Sequence, residues 1–237
     1  FAPVGGHTPT GVMGARVVFK NGVRGVIGFE EKVKPEDLAL SDFFIDLGVS
    51  GADEARALVG PGDFAVFCGD AYQNGTTMVG PYLDNRAGCV ALLHALSLIE
   101  EPACDLYFVF TVQEEVGLRG ALTAAYQIAP DVGLAVDVTD SDDVPGLKEH
   151  CSARMGKGPA VKMMDQSVVA ATETVQLLKD AAGRLGIAVQ PDIIRVGGTD
   201  AGSIQKARGG VLAGGLSIPC RYIHTPSEMV SLSDVEQ

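Results

Sequence analysis

The chain has 237 residues, of which 46% are hydrophobic, and a formal net charge of −12. That length suits one large domain or two smaller ones around a substantial core. The acidic balance argues against a nucleic-acid partner or an anionic membrane surface, and no apolar run has the length of a membrane span or the pattern of a signal peptide.

The first third reads as β-rich. Strands are expected over residues 12–19 and 23–29, joined by Lys20-Asn21-Gly22, an Asn-Gly hairpin signal. A strand over 42–47 follows, then a helix over 52–58 with Ser50 and Asp53 as a capping-box-like start, and a strand over 63–68. Short strands with Gly and Pro punctuation predict a small β-barrel-like domain over residues 1–75.

From residue 76 strands and helices alternate. Helices are expected over 86–100, 118–128, 167–185 and 201–207, and strands over 105–112, 133–139, 187–196 and 210–217. In the first of these helices Cys89, Leu92, Leu93, Leu96 and Ile99 share one apolar face. This alternation predicts an α/β domain over 76–237, with a mixed, largely parallel sheet flanked by helices. The chain opens at Phe1 in what reads as strand and loop, and stops at Gln237 just inside a helix start at Ser231-Leu232-Ser233-Asp234. Both termini are therefore read as truncated.

Five cysteines, Cys68, Cys89, Cys104, Cys151 and Cys220, are widely spaced with no CxxC pair. They are expected to be reduced thiols of a cytoplasmic protein.

In open α/β sheets ligands sit at the carboxyl ends of strands, so polar residues at those ends are the candidates. Glu114 and Glu115 close the apolar run Leu106-Tyr107-Phe108-Val109-Phe110. They are either a solvated loop entrance or a metal ligand beside a proton carrier. Asp84 precedes the helix at Arg86 and is placed either to cap it or to ligate. Asp137, inside Leu134-Ala135-Val136-Asp137-Val138-Thr139, is either a buried ion-pair partner or a site residue. His224, after Arg221-Tyr222-Ile223, is either a loop histidine or a ligand. Together Asp84, Glu115, Asp137 and His224 offer oxygen and nitrogen donors suited to Zn, Co or Mn. His7, His94 and His150 are read as non-ligands. In Gly197-Gly198-Thr199-Asp200-Ala201, Thr199 or Asp200 either caps the following helix or lines a pocket. No phosphate-binding loop is present.

The order of these motifs carries a resemblance. Tyr82-Leu83-Asp84-Asn85-Arg86-Ala87-Gly88-Cys89, Gln113-Glu114-Glu115-Val116-Gly117, Val136-Asp137-Val138-Thr139, Gly197-Gly198-Thr199-Asp200-Ala201 and Arg221-Tyr222-Ile223-His224-Thr225-Pro226-Ser227-Glu228 resemble, in sequence order, the dinuclear metallo-aminopeptidases that assemble as tetrahedral dodecamers. That family includes glutamyl, leucyl and lysyl aminopeptidases and relatives labelled endoglucanases. Phe44-Ile45-Asp46-Leu47-Gly48 and Pro61-Gly62-Asp63 resemble its inserted β-barrel dimerisation domain.

The resemblance implies two divalent ions, Zn or Co with Mn as an alternative, bridged by Asp84. Glu115 and His224 would complete one site and Asp137 would belong to the other. Glu114 would be the general base that deprotonates the attacking water. Thr199, Asp200 and Arg221 would lie on the substrate side, and the bond after Asp84 would be cis. It implies a peptide substrate and a homo-oligomer built from dimers. The family's His-x-Asp ligand motif, expected ahead of the small β domain, does not occur in these 237 residues, and Asn85 stands where some relatives have Asp. Alternatives are a dinuclear deacylase or carboxypeptidase, with Arg221 on the substrate carboxylate, a glycoside hydrolase, or a non-catalytic scaffold. The absence of Trp and the 6% aromatic content count against a sugar cleft.

Overall fold

A computed structural model of the chain describes residues 1–31, 33–34, 37–141, 143–146 and 152–237. His150 and Cys151 lie outside the described residues. The first element is the short helix α1 (Pro9–Val12), which has Pro in its first turn and the Thr8 hydroxyl accepting from the Gly11 N–H. Strands β1 (Arg16–Phe19) and β2 (Arg24–Phe29) form the expected hairpin. Gly22 supplies a φ of 89° in the turn, and the Asn21 side chain accepts from the Val23 N–H at 3.1 Å.

Strand β3 (Phe43–Asp46) joins β2, and β4 (Ala65–Phe67) joins β1, giving an antiparallel sheet of order β3-β2-β1-β4. Val12, Ala15, Val17, Ile27 and Phe43 are its core. Among the described residues β3 and β4 remain edges, so this sheet is open and the expected barrel is not closed. Helix α2 (Ala52–Leu58) starts at Gly51, with no side-chain cap. The Ser50–Asp53 capping box does not form, because Ser50 stands one residue outside the cap position. Instead the Ser50 N–H bonds Glu54 and Asp53 pairs with Arg56.

The second sheet has seven strands: β5 (Tyr72–Asn74), β6 (Thr77–Gly80), β7 (Val132–Asp140), β8 (Ala160–Met164), β9 (Gln190–Ile193), β10 (Leu212–Arg221) and β11 (Glu228–Ser231). Their order is β5-β6-β11-β10-β8-β9, with β7 on β10. β10 is the axis: β7 runs parallel along one edge from Leu212 to Cys220, while β8 and β11 share the other. Among the described residues β7·β10 and β8·β9 are parallel and the other four pairs are antiparallel, so the sheet is mixed rather than largely parallel. The cause is the short connections β5–β6 and β10–β11, which are compatible only with antiparallel neighbours.

Helices α3 (Leu83–Leu98), α4 (Arg119–Ile128), α5 (Thr172–Leu185), α6 (Ala201–Ile204) and α7 (Leu232–Glu236) complete the layer. α3 packs on β7 and α5 on β10 and β8. Three sequence expectations fail here. Residues 105–112 form no strand, and Leu106, Tyr107, Val109, Phe110 and Val112 are exposed. The buried face of α3 is Ala87 and Gly88, small enough to approach the β7 backbone at Val136, whereas Leu93, Leu96 and Ile99 are exposed. α5 begins at Thr172 rather than 167, because Asp165 folds the preceding residues into a turn by accepting from the N–H groups of Ser167 and Val168.

Candidate metal centre and active site

The site is assembled where β6, β7 and β10 end. Tyr82, with φ at 64°, turns the chain from β6 into α3, and the Asp84–Asn85 peptide bond is cis, as the resemblance implies. Asn85 spends both ends of its amide: it donates to the Val136 carbonyl at 2.8 Å and accepts from the Gly88 N–H at 3.2 Å. The start of α3 is thereby tied to β7 one residue before Asp137.

Glu114 and Glu115 sit on a loop rather than a strand end. Gln113, with φ at 58°, reverses the backbone, and the Gly120 N–H closes the loop onto the Val112 carbonyl at 2.9 Å. A Cβ at Gly120 would stand 2.5 Å from that oxygen, so only glycine allows this closure. The Glu114 carbonyl accepts from both Gly117 and Leu118.

His224 follows β10, again in left-handed backbone at φ 63°. Its Nδ1 lies 2.8 Å from the Gly6 carbonyl. A carbonyl only accepts, so Nδ1 carries the proton and Nε2 is the ring atom turned to the carboxylates. Nε2 stands 3.3 Å from Asp84 Oδ2 and 3.0 Å from Glu115 Oε2. One donor atom from each of Asp84, Glu115 and His224 lies within 4.8 Å of the others. Two carboxylates and an imidazole locked through a carbonyl are the donor set that Zn, Co or Mn accept.

The electrostatics match an acidic pocket arranged for a cation. Hydrogen bonds to Asp84 and Glu115 push the His224 imidazole up to about 11. Its bond to Glu115 holds that carboxyl below the usual range, while burial raises Asp84. Burial, reinforced by the charges of Glu115, Asp200 and Asp84, pushes Glu114 up to about 8. Burial also drives Asp137 well above the ordinary range, with Asp84 and Glu114 adding to the effect.

Asp137 stands apart from the three-residue cluster. It is 9% exposed, and its Oδ1 accepts from the Val138 N–H. Asp200 joins the pocket through Thr111, whose hydroxyl donates to Asp200 Oδ2 at 2.6 Å. Thr199 is buried and its hydroxyl donates to Asp165, which itself lies 3.9 Å from the buried Lys162; Lys162 pairs with Asp192 at 2.6 Å. Arg221 donates to Asp143 at 2.6 Å.

Sequence reasoning missed three participants. Glu228, 3% exposed, accepts from the backbone N–H groups of Asp84 and His224, at 2.9 Å each. Its signal was an acidic residue opening the apolar strand β11. Gly6 fixes the His224 tautomer through its carbonyl, which leaves no side-chain signal. His7, read only as a non-ligand, donates from Nδ1 to the His224 carbonyl at 3.2 Å.

Comparison with known proteins identifies the family. The pattern of the M42 glutamyl aminopeptidase family matches residues 1–237. A putative aminopeptidase of Acetivibrio thermocellus is 45% identical over 237 residues, covering 99% of this chain and 71% of that protein. The aminopeptidase APDkam598 of the archaeon Desulfurococcus kamchatkensis superposes with a TM-score of 0.92 at 40% identity, covering 99% of this chain and 68% of that one. The Pyrococcus horikoshii TET1 peptidase, described as assembling into a tetrahedron or a large octahedral shell, superposes with a TM-score of 0.78 at 31% identity, covering 98% of this chain and 72% of that one. The chain belongs to the M42 glutamyl aminopeptidase family, whose members are metal-dependent exopeptidases.

Proposed function

We propose that this protein removes the N-terminal residue from short peptides, using divalent metal held by Asp84, Glu115 and His224 and a general base supplied by Glu114. The observation that carries the reading is the convergence of those three donors beside the half-buried Glu114. When bound, the metal supplies Lewis acidity to the scissile carbonyl and to water. Glu114 takes the proton of the attacking water and delivers it to the leaving amine. Glu228 and Gly6 hold the ligands in place.

We propose that Asp137, with Asp84, would hold a second ion, with Zn or Co, or Mn as an alternative, as the metal. The electrostatic coupling of Asp137 to Asp84 and Glu114 supports this. We assign residues 1–75 to dimerisation and 76–237 to catalysis. Separate buried cores support the division, and exposed Val26, Phe44 and Val66 on the small sheet, with Phe64 just before β4, support its role in association. The described assembly of the P. horikoshii relative supports dimers building a closed dodecameric shell. The four described cysteines are free thiols, in keeping with a cytoplasmic location, and no helix of the described residues is long and apolar enough to cross a membrane. A carboxypeptidase would use Arg221 on the substrate carboxylate, but that guanidinium is engaged by Asp143.

The test is hydrolysis of Glu-, Leu- and Lys-p-nitroanilides with added Zn or Co, beside their N-acetylated forms. Cleavage of the free but not the acetylated substrates is expected. Equal cleavage of both, or none with either metal, would overturn the reading.

A further inference from the structure

The small sheet reaches the metal centre through two residues, His7 and Phe67. Phe67 ends β4 and packs on the core of that sheet. The half-buried His7 ring meets the Phe67 ring edge to face, with centroids 5.3 Å apart and planes at 83°. The Phe67 carbonyl accepts from the Tyr82 hydroxyl at 3.0 Å, two residues before Asp84. His7 Nδ1 lies 3.2 Å from the His224 carbonyl. A carbonyl only accepts, so Nδ1 carries the proton. Among the described residues that carbonyl is the ring's one hydrogen-bond partner. α1, whose Val12 belongs to the same small-sheet core, covers the next residue: a Cβ at Gly11 would stand 3.2 Å from Thr225 Cγ2.

His224 needs such support. Its φ of 63° is left-handed backbone, which a residue with a Cβ keeps only where its surroundings hold it. Glu228 accepts from its N–H on one side of the Cα, and His7 donates to its carbonyl on the other. The Gly6 carbonyl accepts from the ring. Each bond fixes a different part: the entering peptide, the leaving peptide and the turn of the imidazole. We propose that His7 is a positioning residue of the metal centre. By holding the His224 carbonyl it keeps the left-handed turn from which the imidazole reaches the metal. Through Phe67 it makes the small sheet part of the ligand geometry. The inference rests on the metal-centre reading and adds to it a residue outside the ligand set.

The experiment compares His7→Phe and His7→Asn in the whole protein. Phe keeps a ring against Phe67 and removes the donor. Asn places an N–H near the position of Nδ1 and restores it. Competition against a chelator gives the Zn affinity, and the visible d–d bands of the Co-loaded protein report ligand geometry. His7→Phe should bind Zn about tenfold more weakly and shift the Co bands, and His7→Asn should return both toward wild type. A ring that only filled space would give the opposite order, with Phe the better substitute. Wild-type affinity and spectrum in His7→Phe, or His7→Asn as weak as His7→Phe, would overturn the inference. If the wild-type protein binds neither Zn nor Co, the metal-centre reading itself fails, and the inference falls with it. If His7→Phe is not recovered folded, His7→Leu carries the same comparison.

Discussion

Asp84 and His224 share one carboxylate: each backbone N–H donates to a different oxygen of Glu228, at 2.9 Å in both cases. One buried residue therefore fixes the spacing between two ligands that come from opposite ends of the large domain's sequence. Glu228→Gln replaces one acceptor with a donor and must break one of the two bonds. Zn affinity should fall about 10- to 100-fold, with the circular dichroism spectrum unchanged. Competition against a zinc chelator measures it, and unaltered affinity would show that the bridge does not set the geometry.

Glu114 is not one of the three clustered donors, so its loss should separate chemistry from binding. Glu114→Gln should lower kcat about 10²- to 10⁴-fold while Zn content and KM change little. Metal analysis and steady-state kinetics on the same preparation decide it. A parallel loss of metal would recast Glu114 as a ligand.

Proton release should accompany metal binding. In the metal-free pocket His224 is pushed to about 11, Glu114 to about 8 and Glu228 to about 7, and Asp137 is raised further from its ordinary value. Each of these groups holds its proton more tightly folded than unfolded. The stability of the metal-free protein should therefore decline as pH rises, from about 4.5 through 8 for the two glutamates and from 6.5 through about 11 for the histidine. Glu115, held low, contributes in the other direction but has already ionised by then. At pH 7 a divalent ion must displace the His224 proton from Nε2. Calorimetric titration with Zn in buffers of different ionisation enthalpy should give at least about one proton released per chain. Heats independent of the buffer would contradict the assignment of His224.

The strap at residues 5–7 leaves no room above the imidazole. A Cβ at Gly6 would stand 2.9 Å from His224 Cε1 and Nδ1. Gly6→Ala should force the ring or the strap aside and weaken Zn binding about tenfold, with thermal stability little changed. Wild-type affinity in that variant would show that the Gly6 carbonyl is dispensable.

Local signals in the sequence were legible where the cause is local. The Asn21-Gly22 turn, the helix over 52–58 and the helix after Leu118 all follow from neighbouring residues. β8 was not seen because Lys162 interrupts its apolar run, and only the fold reveals that Asp192 on β9 buries that charge. On α3 the expected apolar face of Cys89, Leu92, Leu93, Leu96 and Ile99 is only partly buried, because the small residues Ala87 and Gly88 make the close contact with β7. At the site, Asp84, Glu115 and His224 were readable as polar residues beside apolar runs, and the structure brings those three together. Glu228 and Gly6 act on backbone groups far away in sequence, so no spacing rule identifies them. Thr199 bonds Asp165 and Arg221 bonds Asp143, partners that no local sequence pattern announces.

The most direct test is anomalous diffraction at the zinc absorption edge from crystals of the Zn-loaded protein. The account predicts a peak bounded by Asp84 Oδ2, Glu115 Oε2 and His224 Nε2, with Nδ1 still on the Gly6 carbonyl. A peak elsewhere with this cluster empty would contradict it.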